Sequence, residues 1–375
     1  LPANSTLEKG ALSGMTGLYT LRVPYIGRSA EATDSENFLL YAFGGSKTPS
    51  GQPNRIPPMD ISGSAPNTLR NVELYGNHTE IPAYGFYGLY NVSRITWPST
   101  VTAVGSYAFG ECGLIKLPLE GLKKIADHAF FACTDVPEIV VPSTVEELGE
   151  GAFYYCINLT RITFEEGVRE IPNELCYPYI QREKDGSYHF YSNLTEINIP
   201  ASVERIGERA FVFAGIYGEL QQYEFEDVDL NVCELNFVDI ERSALRSIGE
   251  GAFAQSVLVD VWLPASLESI GTGAFASCPK LQSVTVGDVK NGSGLTSIGE
   301  DAFQNCTLLK SFTIYKSVTA AEECPVLELN SKGGDPFSGA GNCVFYVPAE
   351  SVALYCAADG WSAYASRIQA VSADK

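Results

Sequence analysis

The sequence predicts a β-rich solenoid: a curved, right-handed stack of short coils, with a parallel sheet on the concave side and short helical or 3-10 turns on the convex side. Three observations carry this expectation. The phrase Ile-Gly-Glu-x-Ala-Phe recurs at Ile206–Phe211, Ile248–Phe253 and Ile298–Phe303, with close variants at Leu148–Phe153 and Ile270–Phe275 and looser ones at Val104–Phe109 and Ile125–Phe130. Cys follows the Phe by three residues at Cys112, Cys133, Cys156, Cys278 and Cys306. An extended phrase comes next, as in Leu159–Phe164, Leu194–Ile199 and Leu281–Val286, and the Phe slots lie 21 to 23 residues apart within each run. That period lies in the leucine-rich-repeat range.

Each element has a physical reason. Alternating β-branched residues make the extended phrase a short strand with one face inward. Pro ends many of these strands, as at Pro98, Pro142, Pro200 and Pro264, without removing a needed ladder donor. Gly turns the chain, and Glu150, Glu208, Glu250 and Glu300 follow it, where a carboxylate favours the free N–H groups of a helical turn. Ala, Phe and Cys at spacings of three and four share one helical face, which must point into the stack. No single unit buries its own Phe, so neighbouring units must cover it.

The array is expected over residues 1–348, with Gly10–Leu12 as a unit carrying Leu in the Phe slot, a worn unit at Ile171–Cys176 and the last unit at Asp335–Phe337. Longer intervals place insertions at 24–70, 177–192, 214–244, 287–294 and 315–335. Residues 349–375, with helix-like spacing around Tyr355, Trp361, Tyr364 and Ile368, are expected to cap the open end of the stack; no equivalent N-terminal cap is evident. A chain that begins at Leu1 is expected to be processed or truncated, any export signal lying before it.

Composition removes whole classes. With 45% apolar and 11% aromatic residues the chain is not disordered, and no window supplies the run of about 20 apolar residues a membrane helix needs. A net charge of −20 opposes docking on phosphate backbones or anionic lipid, so nucleic acid is excluded as a partner.

Ile-Gly-x-x-Ala-Phe-x-x-Cys followed by Leu-x-x-Ile-x-Ile-Pro resembles the BspA-type, or treponemal-type, leucine-rich repeat of bacterial surface and secreted proteins. The segment Tyr346–Val352 leading to Gly360 and Trp361 is similar to the close of such arrays. The general Asn ladder is not evident, and Ala30–Pro66 fits no unit. The resemblance implies an exported, extracellular or cell-surface, non-catalytic, adhesin-like module that contacts host or other microbial surface proteins. The alternatives are a glycan-binding protein with aromatic platforms and a structural protein of the cell envelope.

Outward positions of the concave strands include Arg22, Thr96, Lys116, Thr163, Asn198, Trp262, Thr285, Thr313 and Tyr346. Trp262, with Asp260 beside it, and Tyr346 are the candidate ligand contacts there; a shifted strand covered by insertion 214–244 is the opposing reading for Trp262. Tyr177, Tyr179, Tyr188 and Phe190 form a second, loop-borne set, against which stands packing of the insertion on its own repeat. No catalytic or metal motif and no cofactor site is evident. His78, His128 and His189 lack partners in any known spacing, and His128 reads as a solvated position. Asp227, Asp229 and Asn231 open like a calcium loop, but Val232 and Val238 stand where its Gly and Glu belong. The repeat cysteines read as buried free thiols, and Cys324 with Cys343 as the first pair to test for a disulfide.

Overall fold

The computed structural model describes residues 6–371 apart from 53–54, 183, 185–187, 221–234, 239, 330 and 332–333. Two compact units divide the chain at Leu159 and Thr160. The calcium-like residues Asp227, Asp229 and Asn231, and Cys233, lie outside the described residues.

Both units are built from coils with three parts. In the first unit the long strands β1 (Thr20–Val23), β2 (Asn71–Leu74) and β3 (Arg94–Thr96) form a parallel sheet in register, so Arg22, Glu73 and Thr96 make one outward row. In the second unit β4 (Arg161–Phe164), β5 (Glu196–Asn198) and β6 (Asn236–Val238) form one parallel sheet. Another contains β7 (Asp260–Leu263), β8 (Ser283–Val286), β9 (Ser311–Ile314), β10 (Val344–Val347) and β11 (Ile368–Ala370). A two-residue strand before each Gly makes a further parallel ladder, for example Ser247–Ile248 with Ser269–Ile270 and Ser297–Ile298. Lys116 is an exception among the outward positions. It lies in a bend, because the unit from Phe109 to Phe130 is shorter than its neighbours and has too few residues after Cys112 to form the strand.

The Ala-Phe turn is held in an unusual way. Phe131 N–H donates to His128 O at 3.0 Å and Cys133 N–H to Phe130 O at 3.3 Å, the i→i−3 bonds of 3-10 turns. The intervening N–H groups point to the next coil: His128 to Glu150 O, Phe130 to Ala152 O and Ala132 to Tyr154 O, at 2.9, 2.9 and 2.7 Å. The second unit repeats the pattern, with Phe211, Phe253 and Phe275 donating to Ala252, Ala274 and Ala302. Turning alternate N–H groups outward requires left-handed residues on both sides of Ala-Phe, and His128 and Ala132 have φ of 56° and 52°. A continuous helix is therefore excluded, and the Glu expected to cap it contributes its backbone carbonyl instead.

The Phe rings stack along each unit, with centroids 5.1 Å apart for Phe109 and Phe130 and 5.2 Å for Phe275 and Phe303. The Gly of the phrase allows the coils to close up: a Cβ on Gly249 would stand 2.6 Å from the backbone of Gly207. The Cys slot has its own bond. Cys112, Cys133, Cys278 and Cys306 each direct Sγ to the Phe carbonyl of the preceding coil at 3.0 to 3.2 Å, and Cys156 does so at 3.4 Å. Cys324 and Cys343 are both free thiols, so the disulfide considered for them is not formed. Cys176 occupies a Phe slot, its N–H donating to Ala210 O at 3.0 Å.

The stretch 24–70 is two things. Leu39 N–H donates to Gly85 O, and Gly10 and Leu12 donate to Tyr41 and Ala42, so the buried 3-10 segment Leu39–Phe43 supplies the turn of a coil that Ala-Phe supplies elsewhere. The antiparallel hairpin of Lys47–Pro49 and Met59–Ile61 is the excursion from it. At the other end, α1 (Val352–Ala357), a 3-10 turn over Trp361–Arg367 and β11 pack on the last coil. Trp361 is fully buried, donates Nε1–H to Pro325 O at 2.7 Å and meets Phe345 edge-on.

Candidate functional site

The strand register of the second unit sets the site. Trp262 pairs with Thr285, Thr285 with Thr313 and Thr313 with Tyr346, so four outward side chains form one row across β7 to β10. Asp260, Ser283 and Ser311 form the adjacent row, and Ser283 Oγ donates to Asp260. Val261, Val284, Phe312 and Phe345 alternate with them and are buried, which fixes the outward set. Trp262 is 59% exposed and in frame, so the strand is not shifted; residues 221–234 of the insertion weighed as its cover lie outside the described residues.

One wall of the resulting groove, about 930 Å³ in volume, is the loop after β8. Gly287 and Gly292, both left-handed, close that loop. Asp288 accepts from the N–H groups of Lys290 and Asn291 and from Asn291 Nδ2, each at 2.8 Å. Those bonds, the Asn291 side chain first, hold the Asp288 carboxyl below its ordinary pKa. Val289, at the tip, is 75% exposed, and Tyr315 and Val371 complete the rim. Among the described residues the hydroxyls of Thr285, Thr313, Ser311, Tyr315 and Tyr346 make no hydrogen bond within the protein.

The outward rows elsewhere are differently furnished. Arg22 pairs with Glu73 at 3.0 Å and Arg161 with Glu196 at 2.9 Å, while Asn198 Nδ2 donates to Thr163. These side chains satisfy one another, whereas the row from Trp262 to Tyr346 faces solvent with no side-chain hydrogen bond to the described residues.

The second candidate set does not join the groove. Tyr179 and Tyr188 lie on a separate antiparallel sheet of Tyr179–Arg182, Tyr188–Tyr191 and Tyr217–Leu220, and Tyr177 precedes it. Tyr179 is exposed, and Tyr177 and Tyr188 are half-buried. Phe190 is fully buried, its ring 4.3 Å from that of Phe213, so it packs the hairpin and offers no contact surface. Sequence reasoning did not single out Ser311, Tyr315, Val289 or Lys290. The available signal was the 287–294 insertion, which begins two residues after the outward Thr285 at the end of β8.

His128 is buried, against the solvated position expected of it. Its ring stacks on Tyr107 at 5.0 Å and lies 5.3 Å from Tyr154, and burial lowers its pKa. Among the described residues no group of three potential ligands is placed to hold a metal, and no helix is long and apolar enough to cross a membrane.

Comparison with known proteins places this architecture. A crystal structure of a leucine-rich repeat protein from Bacteroides ovatus is 17% identical, covering 89% of this chain and 79% of that one with a TM-score of 0.51. The pneumococcal vaccine antigen PcpA is 15% identical over 96% and 89% of the two chains, with a TM-score of 0.42. A leucine rich cell surface protein from Faecalibacterium prausnitzii is 18% identical over 88% and 87%, with a TM-score of 0.33. No curated protein matches the chain. The family model of the BspA type leucine rich repeat region, in six copies, matches residues 65–180, 178–229 and 218–325. With most of its length matched and the repeating Ala-Phe turn formed, the chain belongs to the BspA-type leucine-rich-repeat family.

Proposed function

We propose that the chain is a non-catalytic, adhesin-like binding module, working at the cell surface or outside the cell and recognising host or other microbial surfaces through the groove on β7 to β10. The row from Trp262 to Tyr346 carries this reading: an exposed Trp and a Tyr joined by unpaired hydroxyls, on a rigid sheet whose other face is core. Aromatic anchors on a fixed backbone bind with little loss of conformational entropy. The BspA-type repeat, which resembles that of bacterial surface and secreted proteins, supports the location.

The test is adhesion of host epithelial cells and of other bacteria to the immobilised full chain. Cell retention is expected with the wild type and is expected to fall roughly tenfold with Trp262→Ala plus Tyr346→Ala. Equal retention by the double variant overturns the reading.

A further inference from the structure

The groove also carries information about the chemistry of what enters it. Its floor, on strands β8 and β9, offers Ser and Thr side chains in two parallel rows, neighbours within a row standing about 4.8 Å apart, and its ends are the rings of Trp262 and Tyr346, three strand steps apart. Backbone groups are not on offer, because the N–H and C=O groups of β8 and β9 bond to the flanking strands. An extended peptide is normally recognised through main-chain bonds at a sheet edge, and the sheet face provides none.

Charge narrows the choice further. The chain carries a net −20, yet the groove's charged lining residues are Asp288 and Lys290, one of each sign, and Asp260 at its edge accepts a hydrogen bond from Ser283 Oγ. Asp288 has its carboxylate engaged by Asn291 and by the loop backbone. The acids outside the groove repel an anionic ligand, and no unpaired carboxylate lines it to hold a cationic one. What remains is a neutral molecule rich in groups that both donate and accept hydrogen bonds, as hydroxyls do, with apolar faces to lie on aromatic rings. A pyranose ring has both: hydroxyls at its edge and C–H groups on its faces.

We propose that the groove binds a short, uncharged oligosaccharide, its end rings lying on Trp262 and Tyr346 and its hydroxyls bonded to Thr285, Thr313 and Ser311. The assignment rests on the reading of the groove as the recognition site and names its ligand class.

The experiment is an array of neutral glucan, mannan, galactan and xylan oligosaccharides, with uronate oligosaccharides and uncharged peptides alongside, probed with the full chain and followed by calorimetric titration of the hits. Binding to a neutral oligosaccharide is expected, weakened roughly tenfold or more by Trp262→Ala and by Tyr346→Ala. Thr313→Val is expected to weaken it severalfold and Tyr188→Ala, on the separate hairpin, to leave it unchanged. A blank neutral panel, preference for uronates or peptides, or binding indifferent to Trp262→Ala each overturns the assignment. Cell adhesion separates the two conclusions. Adhesion that is lost in the double variant, with a blank neutral panel, keeps the groove and removes the sugar; adhesion unchanged in that variant removes the groove itself.

Discussion

Ser256 Oγ donates to the carbonyl of Phe211, one coil back, at 3.0 Å, in the slot where five other coils hold Cys. The Phe211 carbonyl also accepts from Ala214 N–H at 3.1 Å, so the side chain fills its second lone pair. In these six coils the slot holds a small buried donor, Cys or Ser, whereas Leu89, Ala214 and Ala340 fill it without a side-chain donor. Ser256→Cys is expected to stay within about 0.5 kcal/mol of wild type, and Ser256→Ala to lose about 1 kcal/mol, the net value of one buried hydrogen bond. Urea midpoints measure both. An Ala variant as stable as the wild type would show that the slot selects for size alone.

The same burial makes the repeat thiols inert. It pushes Cys133 and Cys278 well above the ordinary thiol range and Cys156 up to about 12. A thiol whose folded pKa is raised stabilises the fold fully below its unfolded pKa, near ~8.5. That stability is lost as pH climbs from there through the folded value, because the unfolded chain releases the proton first. Urea midpoints are therefore expected to fall between pH ~8 and ~11, and substituting Cys133 and Cys278 by Ser should flatten the fall. Maleimide labelling at pH ~8, mapped by mass spectrometry, should leave Cys133 and Cys278 unmodified until denaturant is added.

His128 gives a dependence of opposite sense. Desolvation lowers its pKa against a smaller raising effect of Asp127, and its ring lies between Tyr107 and Tyr154. A depressed folded pKa contributes stability above the unfolded value near ~6.5, and this is lost as pH falls through the folded pKa. His128→Tyr places in this slot the residue that Tyr107 supplies one coil earlier, at the same φ of 56°. The variant is expected to keep its melting temperature between pH ~7 and ~5 better than wild type. Identical profiles would show that the imidazole does not titrate in that range.

The period and the strand alternation were readable because they are properties of residue type. Phe109, Phe130, Phe253 and Phe275 are buried where the repeat placed them, and Trp262 and Tyr346 share a row because alternation along each strand puts them on one face. His128 was misread because its slot is defined by backbone conformation. Tyr107, His128, Gly151, Arg209 and Asp301 all adopt a left-handed φ there, and no shared side-chain chemistry marks it. Leu39–Phe43 escaped because the hairpin after it breaks the period, leaving a coil whose turn and strand are far apart in sequence. The groove wall at 287–294 was visible as an insertion, but its side of the sheet depends on how Gly287 and Gly292 close the loop.

Trp361 tests the C-terminal segment. It is fully buried, meets Phe345 and Tyr355 edge-on and donates to Pro325 O, tying 349–370 to the coil that contains β10. Trp361→Ala is expected to cost about 3–5 kcal/mol through the cavity and the lost bond. Trp361→Phe, which keeps most of the volume, should cost less. Calorimetric unfolding compares them, and a small effect of the Ala variant would show that the segment contributes little to the stability of the second unit.

Trp262 should behave in the opposite way. Its side chain is more than half exposed and makes no ring contact among the described residues, whereas Trp361 is enclosed and Trp97 is half-buried against Phe109. Trp262→Phe is therefore expected to change stability by no more than about 0.5 kcal/mol, as for a surface position without special contacts. The same substitution should remove the component of tryptophan fluorescence most readily quenched by iodide. A large loss of stability with unchanged quenching would mean that Trp262 is covered in solution, and the groove would then have no exposed aromatic end on β7.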